Sequence, residues 1–178
     1  MDKKKSCRGK AEGAVMKIGV IGDTHGVLHP SVLPALSGME KIIHTGDIGG
    51  PAVLSALQEI APVTAVRGNY DNEPDIKDRL LPDPSGFELA GLRAMITHRM
   101  ITMEWEQNKQ IIAERVLMQE PAPELFFFGH THVPILEKVK GIWFINPGYC
   151  GPDPYEAPPT LIRLELSHEE FTGEIIYL

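Results

Sequence analysis

Cysteine is nearly absent from this chain. Its two copies, Cys7 and Cys150, lie far apart and in no metal-ligand spacing. A disulfide framework is therefore not expected, and a reducing, cytoplasmic setting is. No apolar run approaches the roughly 18 residues of a membrane span. Basic charge is also scarce, with 17 Lys and Arg against 24 Asp and Glu and a net charge of −7, which argues against a nucleic-acid surface. No internal repeat or low-complexity segment is present. What remains is an ordinary globular composition, 43% apolar and 23% charged over 178 residues, consistent with one domain. Lys3, Lys4, Lys5 and Arg8 resemble the start of a signal peptide. The apolar stretch behind them is broken by Lys17, however, and runs into a strand. Residues 1–15 read as a disordered extension, with the fold beginning at Met16.

From there strands and helices alternate. Lys17–Gly22, Lys41–Thr45 and Val63–Arg67 read as short β-rich strands. A short helix is expected over Ser31–Ser37, with Pro34 awkwardly placed in it. A longer helix runs from Pro51 to about Ala61, and Val53, Leu54, Leu57 and Ile60 form its apolar face. Such alternation implies parallel pairing with right-handed crossovers. Residues 71–85 carry Pro74, Pro82 and Pro84 and read as a loop. Phe87–Leu89 and Leu92–Thr97 form a hairpin around Ala90-Gly91. A helix follows from Glu104 to about Gln119, burying Ile112 and Val116, and then a fully buried strand, Leu125–Phe128. Ile135–Val139 pairs with Ile142–Ile145 around Lys140-Gly141. Asn146-Pro147-Gly148 reads as a tight turn, and Leu161–Leu166 with Glu174–Leu178 as a closing hairpin. Two facing sheets with helices outside accommodate this change from alternation to hairpins.

Five apolar runs each deliver a ligand-type residue at their carboxyl end. Asp23 and His25 follow the first, Asp47 the second, and Asn69 the third. His98 follows Ala94–Thr97, and His130 and His132 follow Leu125–Phe128. In an α/β sheet those ends share one crevice. Each residue alone is more readily structural than functional; their joint recurrence after strands reverses that reading. Seven ligands exceed what one catalytic ion uses and suit two ions with a shared carboxylate, for which Asp47 is the natural bridge. A nitrogen and oxygen set without sulfur favours Mn²⁺, Fe, Zn²⁺ or Ni²⁺ over Ca²⁺ or Mg²⁺. Two such ions about 3.5–4 Å apart acidify a bridging water and clamp the attacking and leaving oxygens of a phosphoryl displacement.

The ordered set Gly22-Asp23-Thr24-His25, Gly46-Asp47, Gly68-Asn69-Tyr70-Asp71, Thr97-His98, Gly129-His130-Thr131-His132 and Asn146-Pro147-Gly148 resembles the calcineurin-like metallophosphoesterases. Within them it is most similar to the small phosphodiesterases of the YfcE type, relatives of Vps29. The resemblance spans residues 16–178 and implies a four-layer α/β/β/α sandwich. It implies one ion on Asp23, His25, Asp47 and His132, and the other on Asp47, Asn69, His98 and His130, with manganese the foremost candidate. A phosphodiester would sit on both ions, and a bridging hydroxide would attack phosphorus directly. Two departures stand out. Tyr70 replaces the histidine that often follows Gly-Asn, and with a reference pKa of about 10 it is a weaker acid. Activity should therefore favour leaving groups, such as nitrophenolate, that need little protonation. Arg99 replaces the glycine that often follows His98, and a guanidinium there can meet a substrate phosphate or simply be solvated. With Asp47 and Asn69 these two complete the expected catalytic set.

Two other readings compete. One is a Vps29-like protein-binding scaffold with weak or no catalysis, against which the intact ligand set argues. The other is a phosphomonoesterase or nucleotide hydrolase, served by the extra cations Arg67 and Arg99. A homo-oligomer is compatible with the sequence. His44 is expected to be a hydrogen-bonded core histidine, His29 and His168 surface residues, and Trp105 and Trp143 packing residues. Asp71 suits either a turn or the orientation of a ligand. Cys150 is not expected to act as a nucleophile.

Overall fold

A computed structural model describes residues 14–100, 104–151 and 158–178. Nearly all of the expected N-terminal extension, residues 1–13, lies outside that set. The chain runs β1 (Met16–Ile21), α1 (Val32–Ala35), β2 (Lys41–His44), α2 (Pro51–Gln58), β3 (Val63–Ala65) and α3 (Pro74–Lys77). It continues β4 (Ser85–Leu89), β5 (Leu92–Thr97), α4 (Trp105–Leu117) and β6 (Leu125–Phe128). The last four strands are β7 (Pro134–Val139), β8 (Ile142–Pro147), β9 (Thr160–Leu166) and β10 (Phe171–Tyr177).

Two five-stranded mixed sheets result, ordered β10-β9-β1-β2-β3 and β4-β5-β6-β8-β7. β1, β2 and β3 are parallel, as are β5, β6 and β8. Register brings their ends level: Ile21 lies beside His44 and His44 beside Ala65 in one sheet, Thr97 beside Phe128 in the other. The ligand-type residues that follow these strands therefore emerge on one rim.

Alternation along each strand builds three apolar layers. Ile18, Val20, Ile43, Ile96, Phe127 and Ile145 fill the space between the sheets. Ile21, Ile42 and Leu161 point the other way, onto Val32 and Leu36 by α1 and Val53, Leu54 and Leu57 of α2. Phe126, Phe128 and Phe144 meet Trp105, Ala113 and Val116 of α4. Strands buried on both faces read as unbroken apolar runs for this reason, and the expected four layers are present.

The details differ in instructive places. The expected loop 71–85 contains α3, a single turn with Pro74 at its start and Ile76 buried beneath it. α1 is shorter than Ser31–Ser37: Pro34 lies in its first turn, where its missing amide costs no helical bond, and after Leu36 the chain tightens to a Ser37 N–H bond to the Pro34 carbonyl and stops at left-handed Gly38, φ 79°. Asn146 and Pro147 extend β8 rather than turning; the left-handed residue is Gly148, φ 79°. Both predicted two-residue turns hold, with positive φ at Ala90-Gly91 and Lys140-Gly141. No helix among the described residues is long and apolar enough to cross a membrane.

Candidate metal centre

Five loops converge on the rim and are stitched together by hydrogen bonds to the backbone. The loop after β1 runs along the loop after β2: the Asp23, His25 and Gly26 N–H groups donate to the carbonyls of Gly46, Asp47 and Ile48 at 3.0, 2.9 and 2.8 Å. The Gly129 N–H donates to the His98 carbonyl at 3.1 Å, joining the end of β6 to the end of β5. Asp71 ties in the loop after β3, its carboxylate accepting from the Gly49 and Gly68 N–H groups, both at 2.9 Å. Of its two expected roles, the structure gives it the turn. Gly68 is required at its place, because any Cβ there would collide with the backbone and carboxylate of Asp47.

All seven expected ligand residues meet on this rim. The ligand atoms of Asp23, His25 and His132 lie within 4.8 Å of one another, as do those of Asp47, His98 and His130. Asn69 joins the second group, its Oδ1 2.9 Å from His98 Nε2. The two groups are contiguous: Asp23 Oδ2 accepts from the His130 N–H at 3.1 Å. The Asp47 carboxylate falls in the second group, and it is the Asp47 backbone carbonyl that reaches His25. Five of the seven residues, Asp23, His25, Asp47, His130 and His132, have φ between 46° and 70°. That left-handed region costs an L-residue roughly 1–2 kcal/mol, and it aims each side chain back into the crevice.

Proton positions follow from the partners. His98 Nδ1 lies 2.9 Å from the Thr45 carbonyl oxygen, which can only accept, so Nδ1 carries a proton. In a neutral ring Nε2 is then a bare lone pair, yet it faces Asn69 Oδ1 and, at 3.2 Å, Asp47 Oδ2. Three lone pairs meet where a cation belongs. Without a cation, a proton on the His98 ring is favoured there. Burial opposes its charge, but the hydrogen bond to Asp47 and the charges of Asp23 and Asp47 win and raise its pKa above the usual imidazole value. Burial likewise opposes ionisation of Asp47, and the hydrogen bonds from His98 and the Tyr70 N–H outweigh it and lower its pKa. In the other group Asp23 Oδ1 is buried without a hydrogen-bond partner, 3.2 Å from His132 Nε2. An orphaned carboxylate oxygen among imidazole nitrogens suits a divalent cation of borderline softness, so the residues fit the metal the sequence pattern implies.

The surrounding residues fix these ligands. His44 is fully buried; its Nδ1 accepts from the Gly46 N–H at 3.2 Å, so Nε2 donates to Thr24 Oγ1 at 3.0 Å. Thr24 in turn donates to the Ile48 carbonyl. Burial lowers the His44 pKa to about 4, leaving it a neutral strut rather than a ligand. Asn146 donates to Thr131 Oγ1 at 2.9 Å and accepts from the Gly148 N–H, bracing the segment between His130 and His132. Two supports escaped sequence reasoning: Thr45, which acts through its carbonyl, and Asp83, which accepts from the His98 N–H and the Thr97 hydroxyl. A carbonyl leaves no sequence signature, and only the turn-prone Asp83-Pro84 pair hinted at the second.

The remaining expectations sort cleanly. Tyr70 is 66% exposed, with its ring edge-on to His25 at 5.4 Å. Arg99 is exposed beside the second group, where burial, His98 and its own guanidinium together push the His130 imidazole below its usual value. Arg67 is half-buried and its Nε has no hydrogen-bond partner. Trp105 packs on Phe128 and Phe144 and donates to Glu137. Trp143 stacks on Phe171. His168 is exposed, but His29 is half-buried and accepts from the Ser31 N–H. Cys150 donates to the Thr160 carbonyl, and burial raises its thiol pKa to about 12, which removes it as a nucleophile.

Comparison with known proteins gives the family and the fold. Residues 16–169 match the calcineurin-like phosphoesterase superfamily domain. A probable metallophosphoesterase of Methanothermobacter thermautotrophicus is 30% identical over 90% of this chain and 92% of its own length. Phosphodiesterase YfcE of Escherichia coli is 29% identical over 75% of this chain and 79% of its own. Vps29 of Entamoeba histolytica, solved with zinc, shares the fold at a TM-score of 0.64 and 21% identity, over 91% of this chain and 99% of that one.

Proposed function

The chain belongs to the calcineurin-like phosphoesterase superfamily, and from that premise we propose that it is a phosphodiesterase working with two divalent ions, manganese foremost, with nickel, iron or zinc able to substitute. One ion would be held by Asp23, His25, Asp47 and His132, the other by Asp47, Asn69, His98 and His130. The observation that carries this reading is the convergence of His98 Nε2, Asn69 Oδ1 and Asp47 Oδ2 on one spot. When bound, the ions supply a water acidic enough to attack phosphorus at neutral pH and neutralise the charge that gathers on the phosphoryl oxygens.

The protein's own side chains do the rest. Thr45 and Asp83 hold the His98 ring and backbone, so its Nε2 keeps one direction. Asp47 is fixed through the Tyr70 N–H at 2.9 Å, which leaves Oδ2 to the crevice. In hydrolysis water adds its oxygen to phosphorus, and the bond to the leaving oxygen breaks with its electron pair on that oxygen. A proton completes the alcohol unless the leaving group is stable as an anion. Tyr70 stands at the rim where that proton is delivered, and as a weak acid it restricts efficient turnover to good leaving groups. Arg99, exposed beside His130, meets the non-bridging oxygens. The substrate is a small phosphate diester, and the setting is cytoplasmic.

Hydrolysis of bis-p-nitrophenyl phosphate by metal-stripped protein titrated with Mn²⁺ tests the proposal. Activity should rise with metal and vanish in Asp47→Asn. A protein that binds no divalent metal would overturn the enzyme reading and leave the scaffold.

A further inference from the structure

Among the described residues, the outer face of the second sheet is only partly covered. α4 is held toward the β7 side: Trp105 Nε1 and Lys109 Nζ both reach Glu137 at 2.8 Å, and Glu114 meets Lys140 at 3.1 Å. β4 and β5 lie at the other side of that sheet, so a groove of about 550 Å³ opens between α4 and β5. Its walls are apolar, with Met95, Met100 and Phe126 on the sheet side and Ile111, Ile112 and Val116 on the helix. The helix contributes one face from Asn108 to Val116, a length of about 12 Å at the α-helical rise.

Charge sets this groove apart. The chain is acidic overall, yet among the described residues the only charged ones lining the groove are Arg99 and Arg115. Arg99 directly follows His98, and its charge is felt by the imidazole of His130. One guanidinium thus stands at the junction of the groove and the candidate metal centre. The groove's size falls in the range of small-ligand sites. Apolar walls with cations and no lining carboxylate select an amphiphilic anion.

We propose that this groove is a specificity subsite for the apolar half of a phosphodiester bearing a medium-length alkyl or acyl chain. The chain lies between α4 and β5, Arg99 meets the phosphate, and the phosphorus sits at the metal centre. The inference rests on the phosphodiesterase reading above and extends it to a substrate class.

The test has two parts. In calorimetric titration of metal-free protein, octyl phosphate should bind at least tenfold more tightly than methyl phosphate. Ile111→Glu places a carboxylate at a half-exposed groove position and should abolish that advantage. Leu117→Glu, which adds the same charge to an exposed position of α4 outside the groove, should keep it. Equal binding of the two phosphates, or an advantage that survives Ile111→Glu, overturns the subsite. In the second part, manganese-loaded protein hydrolyses methyl and octyl p-nitrophenyl phosphate, and kcat/KM should favour the octyl ester at least tenfold. Hydrolysis of both without preference overturns the subsite alone. Hydrolysis of neither, with any divalent metal, overturns the phosphodiesterase reading beneath it.

Discussion

The imidazole of His98 is held by the backbone of Thr45: its Nδ1–H donates to that carbonyl oxygen at 2.9 Å. This one bond fixes the tautomer and turns Nε2 toward Asp47 and Asn69. Metal-binding histidines gain basicity and direction from such an outer partner.

Because the raised His98 pKa keeps a proton where a cation binds, metal and proton compete. The group is charged below its raised pKa, so affinity for Mn²⁺ should fall as pH falls from 8 to 6. Metal binding in that range should release protons. Calorimetry in buffers of different ionisation enthalpy measures that release, and Asp47→Asn, which removes one cause of the raised pKa, should diminish it.

Asp47→Asn should lower kcat/KM by more than about 10²-fold, since losing even an outer-shell partner costs 10–100-fold in such sites. The amide retains an acceptor for the Tyr70 N–H, so the far-ultraviolet circular dichroism should not change.

His44 makes the fold acid-sensitive. Its folded pKa, about 4, lies below the unfolded value of about 6.5. The unfolded chain therefore gains a proton first, and the stabilisation present above pH 6.5 is lost as pH falls toward 4. Between pH 7 and pH 5 this amounts to about 2 kcal/mol. Urea unfolding of metal-free protein should show that loss in the wild type and a correspondingly smaller one in His44→Gln.

His25 is strained at φ 46°. Glycine relieves roughly 1–2 kcal/mol there and returns part of it as unfolded-chain entropy. Metal-free His25→Gly should thus be no less stable than wild type in urea, although its metal affinity collapses.

Tyr70→His supplies a better acid at a well-exposed position. Turnover of alkyl diesters should rise at least tenfold relative to bis-p-nitrophenyl phosphate, within the usual range for general acid catalysis. Equal gains on both substrates would show that proton delivery is not what limits this enzyme.

The ligand residues were legible because their chemistry and their backbone role coincide: each follows an apolar run that ends at the rim. Asp23, His25, Asp47, His130 and His132 also tolerate the left-handed region better than most residues, so motif and turn are one signal. Thr45 and Asp83 were not legible, since one acts through a carbonyl and the other through its distance in space from His98. α3 was missed because Pro74 and Asp75 read as loop, while it is the burial of Ile76 that makes them a turn of helix. The groove beside α4 was equally invisible. It exists because Glu137 and Lys140, far along the chain, draw the helix to one side.

Asp71 has a wider consequence. By clasping Gly49 and Gly68 it closes the ligand-bearing loops off from the exposed stretch beyond it, Glu73 to Asp75. Insertions or replacements in that segment end at a carboxylate already anchored on both sides, so they leave the spacing of Asp47 and Asn69 untouched. The molecule thereby separates the part that must stay constant for chemistry from a part that is free to diversify, and new substrate ranges can arise there without rebuilding the centre.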